Sequence, residues 1–334
     1  MINGWLILDK PLGLGSTQGV SAVKRALREA GEPKHRIGHG GTLDPLATGV
    51  LPIAIGEATK LAGRMLDATK VYDFTIGFGA QTDTLDLEGV IIATSDARPT
   101  LAAIEAILPR FTGPIEQVPP NYSALKVDGK RAYDMARAGE EFELKTRAVT
   151  VYSLKILPEL ASGRGTVGEA DGGGAGPIEH SAPLHYPADG PPPRAKLREE
   201  VERITLSATV SKGTYIRSLA RDIAIALGTV GHVTMLRRTK AGPFDLSHAI
   251  SLDKLADLAK ARSLDGAVLP LSAGLDDIPA LPVTPAEATL LRHGQKLMRT
   301  LATPGLHLAT DAGRPVALVE AGTDGLTVVR GFNI

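Results

Sequence analysis

Asp44 stands between a glycine-rich loop, Gly38-His39-Gly40-Gly41, and Pro45. The proline restricts the residue before it to extended conformations, so the carboxylate sits on a stiff segment. A carboxylate held in this way can serve as a general base or a nucleophile. It can equally cap a turn, a common task for aspartate. The glycines invite a phosphate-cradle reading, but the GK[ST] ending of a P-loop is missing and no clear helix opens after them. His35 and His39 are four residues apart, a metal-ligand spacing on a helix, yet the surrounding glycines argue against that helix.

A second group runs from Ser211 through Lys212, Gly213, Thr214, Tyr215 and Ile216 to Arg217. It ends a strand and opens a helix, whose first N–H groups are free for phosphate. Arg217 is spaced to face back toward a strand-end site. Lys212, Arg217 and Arg221 lie on or near one surface with Tyr215 among them. Basic side chains interleaved with an aromatic suit splayed RNA bases; a solvated basic helix start gives the same pattern. Arg237, Arg238 and Lys240 follow a short apolar strand and read as phosphate contacts or as ordinary surface charge. Tyr72 lies in an apolar strand, where a core tyrosine is the plain reading.

The elements that must position these residues follow from the pattern. Trp5 to Leu8 is a buried strand, and Ser16 is placed to cap a helix carrying Val20, Val23 and Leu27 on one face and closing at Gly31. Val50–Ile55 and the alternating Val71–Phe78 are strands. Thr100 caps a helix to Leu108, Gly129–Ala138 is helical, and Ala148–Leu157 is a β-branched and aromatic strand. Residues 161–193 hold 14 Gly or Pro among 33, too few apolar groups to offset the entropy of ordering, and read as a mobile insertion. Beyond it come a strand from Val201, a helix from Thr214 to Leu227, and a strand at Val233–Leu236. Three prolines between Pro279 and Pro285 suggest a linker to a small β-rich domain. The predicted domains are therefore 1–278 and 279–334.

Composition narrows the function classes. Of 334 residues 43 % are hydrophobic, which permits a sizeable core, and no apolar run approaches a membrane span. The N-terminal residues lack the basic region and cleavage site of a secretory signal. The absence of cysteine removes disulfides, thiolate metal sites and a Cys nucleophile, and agrees with a cytoplasmic location. The formal net charge is zero, but its distribution is uneven. Residues 203–245 carry seven Lys/Arg against two Asp/Glu, and residues 80–108 carry one Arg against five acids. A neutral total can hide a basic face.

Six segments, in order, resemble the TruB family of tRNA pseudouridine synthases. They are GWLILDKPLGLGS, RIGHGGTLDPLATGVLPIAIGEATKL, KVYDFTIGFGAQTDTLDLEG, PPNYSALKVDGKRAYDMARAG, SKGTYIRSLARDI and HVTMLRRT, spanning about residues 4–240. The resemblance implies an α+β fold. Its main part is a mixed, mainly antiparallel curved sheet flanked by helices, and a small C-terminal RNA-binding domain of the PUA type follows. It also implies isomerisation of the T-loop uridine of tRNA, position 55, to pseudouridine. Asp44 corresponds to the family's catalytic aspartate and Arg217 to the arginine that pairs with it. His39 matches the histidine that helps displace the target base, and Tyr72 the tyrosine that stacks on the flipped uracil. Tyr215 and Leu236 match base-pocket residues, and Lys10 a lysine beside the site. No cofactor, metal, membrane or obligate protein partner is implied; the expected partner of a monomeric chain is the tRNA T-arm. The competing readings are an RNA-binding or tRNA-folding factor that dispenses with chemistry, and a guide-dependent relative.

Overall fold

The computed structural model describes residues 2–157, 200–299 and 303–334, so the segment 161–193 lies outside the described residues. A mixed sheet of eleven strands organises the chain. Its main strands are β1 (Gly4–Lys10), β2 (Ile37–His39), β3 (Ala47–Ile55), β4 (Lys70–Phe78), β5 (Gly113–Gln117), β6 (Arg147–Ile156), β7 (Arg203–Val210) and β8 (Gly231–Ala241). In space the order is Ala249–Ile250, β1, β3, β8, β4, β7, β6, β5, with β2 on β3. Along that path only the Ala249–Ile250/β1 and β3/β8 pairs are parallel; the others are antiparallel.

Two helices cover one face at two places. Helix α1 (Ser16–Glu29) buries Val23, Ala26 and Leu27 against Leu6, Leu8, Leu51 and Ile53. Helix α2 (Ile216–Ala226) buries Ile216, Leu219, Ala220 and Ile223 against Phe74, Ile76, Leu206 and Ala208. Apolar residues at helical spacing make both stripes. The run Trp-Leu-Ile-Leu in β1 does not alternate because both faces of that strand are covered. Leu6 and Leu8 face the α1 core, while Trp5 and Ile7 enter another core.

That other core joins the C-terminal part to the sheet. Strands β9 (Ala280–Pro282), β10 (Gly305–Asp311), β11 (Arg314–Gly322) and β12 (Gly325–Gly331) form a second sheet in that order, with helix α3 (Pro285–Arg292) between β9 and β10 in sequence. Leu308, Leu318 and Phe332 pack with Trp5, Ile7 and Phe244. Lys60 Nζ donates to the Gly331 carbonyl at 2.9 Å, and the Asn333 N–H donates to Glu57 at 2.8 Å.

Three sequence readings change here. Pro279–Pro285 is not a linker. Ala280–Pro282 pairs in parallel with β10, and Pro285 opens α3 behind the Thr284 cap, with Glu287 closing a capping box. Proline is at home on an edge strand and in a helix's first turn. The apolar Val233–Leu236 strand continues through its charged residues to Ala241. The Gly129–Ala138 helix is shortened to Ala132–Arg137, behind a hairpin of Lys126–Val127 with Lys130–Arg131.

Candidate active site

The segment from Gly40 to Leu46 leaves the sheet between β2 and β3 and carries Asp44. It lacks a strand partner, so its polar backbone atoms need others. The Gly40 N–H donates to the Pro52 carbonyl at 2.8 Å. The Arg238 guanidinium donates to the carbonyls of Gly41 at 3.1 Å, Thr42 at 3.4 Å and Val50 at 2.8 Å. The buried Ser16 hydroxyl accepts from the Leu43 N–H at 2.8 Å and donates to the Leu43 carbonyl at 2.9 Å. The Ala47 N–H closes the turn onto the Asp44 carbonyl at 3.0 Å. The Pro45 carbonyl accepts from Lys10 Nζ at 3.1 Å and from the Gly13 N–H at 2.9 Å. Asp44 thus rides on a backbone held on both sides, at Gly41 to Leu43 before it and at Pro45 and Ala47 after it.

Ser16 therefore does not cap α1. Gly15 is the N-cap residue, and the Gln18 side chain accepts from its N–H at 2.7 Å. Lys10 is fully buried, and its ammonium also donates to the carbonyls of Pro11 and Leu14. Burial pushes it down to about 8, against the attraction of Asp44 and with the repulsion of Arg238. Lys10 is a brace for the loop.

The Asp44 carboxylate meets Arg217 at 2.8 Å. The Asp44 side chain is 44 % exposed and that of Arg217 only 7 %, so the carboxylate faces out of the cleft while its counter-ion forms the floor. Arg217 also lies 3.3 Å from Asp86 and donates to the carbonyls of Thr84 at 2.7 Å and Tyr122 at 2.9 Å. Asp86 is buried and accepts from the Thr84 hydroxyl at 2.6 Å and the Glu88 N–H at 3.0 Å. Between them Leu85 takes a left-handed backbone, φ 63°, a conformation costing a branched residue roughly 1–2 kcal/mol. That turn brings both the Thr84 carbonyl and Asp86 onto Arg217.

Sequence reasoning passed over Asp86. The signal was there in the opposite local charges of 80–108 and 203–245, which Arg217–Asp86 joins.

Asp44, Asp86, Arg217, Leu87 and Leu236 line one narrow cleft. It opens where the α1 core and the α2 core meet, since Tyr72 and Leu236 are half-buried against both. The ladder explains the grouping. Leu236 stands opposite Ala47 and Phe74, and Arg238 opposite Gly49 and Tyr72. Gly49 is required: its φ is +99°, and a Cβ there would lie 2.2 Å from the Arg238 carbonyl oxygen. Tyr215, at the N-cap of α2, is clamped through its backbone by the Gln117 amide at 2.8 and 3.1 Å. Burial raises its phenol, which also feels Asp44 and Arg217.

His39 sits on β2 opposite Ile53, outside the residues lining the cleft. Its Nδ1 is buried without a hydrogen-bond partner among the described residues. Burial first, and the Arg238 charge second, lower its imidazole below the ordinary range. The structure thus gathers Asp44, Arg217 and Leu236 in one cleft, with Lys10 and Tyr215 electrostatically coupled to Asp44 and Tyr72 packed beside it. His39 is linked to this group through Arg238. Among the described residues no cluster of His, Asp and Glu is arranged to hold a metal.

The basic face is smaller than the sequence suggests. Arg238 is 1 % exposed and is committed to carbonyls, so it is not a phosphate contact. Arg237 is paired bidentately with Asp9, and Arg221 with Asp222. Lys212 projects into solvent with Asp67 as its partner. Among the described residues no helix is long and apolar enough to cross a membrane.

Residues 25–162 match the N-terminal domain of TruB family pseudouridylate synthase, and residues 217–276 match the tRNA pseudouridylate synthase B C-terminal domain. The second match ends short of the β9–β12 sheet. The tRNA pseudouridine synthase B of Novosphingobium aromaticivorans is 56 % identical over 334 residues, covering 100 % of this chain and 98 % of that one. The protein of the same name from Zymomonas mobilis is 51 % identical, covering 99 % and 96 %. Two solved structures share the fold. One is an H/ACA ribonucleoprotein bound to a substrate RNA containing 2′-deoxyuridine, with TM-score 0.66, 21 % identity, and 99 % and 85 % coverage. The other is the Nop10–Cbf5 complex of an archaeal box H/ACA ribonucleoprotein, with TM-score 0.64, 21 % identity, and 99 % and 86 % coverage. With relatives this similar over its full length, the chain belongs to the TruB family of pseudouridylate synthases.

Proposed function

We propose that this protein converts the T-loop uridine of tRNA, position 55, to pseudouridine, with Asp44 as the catalytic carboxylate. The observation that carries the reading is the half-exposed Asp44 carboxylate, carried on a loop braced on both sides and paired with the buried Arg217 of α2. A base inside a stacked helix is out of reach of such a group, so the uridine must first leave its stack. Tyr72 and Tyr215 offer aromatic faces to replace the lost stacking, Leu236 an apolar wall, and His39 a side chain for the vacated space. The bond between ribose C1′ and uracil N1 breaks, and the uracil turns. C1′ bonds to C5, and the C5 proton leaves as N1 gains one. The sum is an isomerisation that consumes neither oxidant nor energy source. Lys10 and Arg217 orient Asp44, and the β9–β12 unit serves as a PUA-like RNA-binding domain. The chain acts as a monomer on the tRNA T-arm, in the cytoplasm.

The test is mass mapping of pseudouridine in an unmodified tRNA transcript incubated with the purified protein. The wild-type chain produces it at one T-loop position. Asp44→Asn produces none while still binding tRNA. Turnover by that variant would remove Asp44 from its role, and modification elsewhere in the tRNA would correct the assigned position.

A further inference from the structure

Arg238 is more deeply buried than Arg217, at 1 % exposure, and it touches no carboxylate within 4.0 Å among the described residues. A permanent cation is costly to bury without an anion. An apolar residue would fill the same place more cheaply, so the arginine needs a reason. Its three acceptors are the carbonyls of Gly41, Thr42 and Val50. Two of them belong to the residues just before Leu43 and Asp44, and the third lies in the strand that follows. A planar fork spreads its donors over Nε, Nη1 and Nη2 and so gives each of the three carbonyls its own nitrogen from a single position on β8, whereas a lysine gathers its donors on one atom, as Lys10 does for Pro11, Leu14 and Pro45.

Gly49 lets β3 approach the Arg238 backbone, and Gly41 lies beside the guanidinium, where a Cβ would make only an ordinary contact with Nη1 at 3.5 Å; the φ of +132° is what favours glycine at 41.

We propose that Arg238 is a positioning residue for catalysis: its buried guanidinium clamps the carbonyls of Gly41, Thr42 and Val50 and so sets the backbone that presents Asp44. The proposal rests on the reading of Asp44 as the catalytic carboxylate. It adds that the second arginine of the Arg237-Arg238 pair acts on the loop from below rather than on RNA.

The test uses Arg238→Lys and Arg238→Met in the full chain with tRNA transcript. Arg238→Lys keeps the charge but gives up part of the fork. It is expected to lower kcat about 10²-fold, the loss typical of a displaced reacting group, with KM for tRNA within threefold. Amide hydrogen exchange over residues 41–47 should quicken in the same variant, while exchange in α2 stays as in the wild type. Arg238→Met should lose more of kcat in the same pattern; should it fail to fold, Arg238→Lys decides alone. A folded Arg238→Lys with wild-type kcat overturns the proposal, as does unchanged exchange over 41–47. A raised KM with kcat unchanged would return Arg238 to RNA binding and also overturn it. The exchange measurement needs no turnover, so it stands apart from the Asp44→Asn result that tests the underlying reading.

Discussion

Asp86→Asn isolates the more deeply buried half of the Arg217 network. The Asp86 carboxylate works with both oxygens: one accepts from the Thr84 hydroxyl and the Glu88 N–H, the other lies 3.3 Å from Arg217. An asparagine of the same shape cannot do both. With its oxygen toward Thr84 and Glu88, its NH₂ points donors at a guanidinium. Flipped, it turns those donors on an O–H and an N–H. Breaking a buried charge pair from one side costs about 3–5 kcal/mol. Asp44 still faces the arginine, so the lower end applies, about 3 kcal/mol, or a fall in Tm of roughly 4–5 °C for a chain of this size. That leaves a folded enzyme at 25 °C, given ordinary stabilities of about 5–15 kcal/mol. Without Asp86, Arg217 keeps only the Thr84 and Tyr122 carbonyls to hold it from behind. The guanidinium then moves toward Asp44 and carries the carboxylate off line, for which about 10²-fold in kcat is expected. The assay is release of tritium from C5-labelled uridine in tRNA, at saturating and limiting RNA, beside a thermal melt. A variant that keeps both Tm and kcat would refute the shared-arginine argument. A drop in Tm with kcat intact would leave Asp86 a purely structural residue.

Three further outcomes follow from the same geometry. Ser16→Ala strips the buried Leu43 N–H and carbonyl of their partner; at about 1–3 kcal/mol for an unsatisfied buried group, urea unfolding should show a loss of that order, with kcat falling more than KM rises. Lys212→Gln removes an exposed cation with only a single-point contact to Asp67 and should reduce the slope of log affinity for tRNA against log salt by about one unit, whereas Arg237→Gln, at a less exposed residue held by Asp9 through two nitrogens, should change it less in the same filter-binding series. Lys10 and Lys70 lie at about 8 in the fold against 10.5 when unfolded, burial being the main cause in both. Between those values the unfolded chain binds more protons, so their contribution makes stability rise with pH from about 8 to 10.5. Denaturant midpoints across that range should show the rise, and Lys70→Met should remove part of it; an unchanged slope in the variant would sink the assignment.

How far the sequence alone reaches is decided residue by residue. Asp44 and Arg217 were legible because their segments resemble a family in which both have assigned places, and the structure sets them 2.8 Å apart. The strands were legible where apolar residues alternate or run on. The Arg237-Arg238 pair was not, because charge in a sequence carries no depth. Two adjacent arginines on a strand point to opposite faces, and here one face holds Asp9 while the other closes over the Asp44 loop. What buries Arg238 is the parallel pairing of β8 with β3, a contact across 189 residues that no local pattern encodes. The same holds for Ser16. Its place before a helical stripe fits an N-cap, but its hydroxyl is drawn 27 residues away to Leu43. Local rules thus failed at Ser16, Asp86 and Arg238: Ser16 and Arg238 bond the Asp44 loop directly, and Asp86 holds the arginine that meets Asp44. A loop free of ladder bonds must borrow donors and acceptors from distant elements, and the residues that lend them look misplaced until the loop is seen.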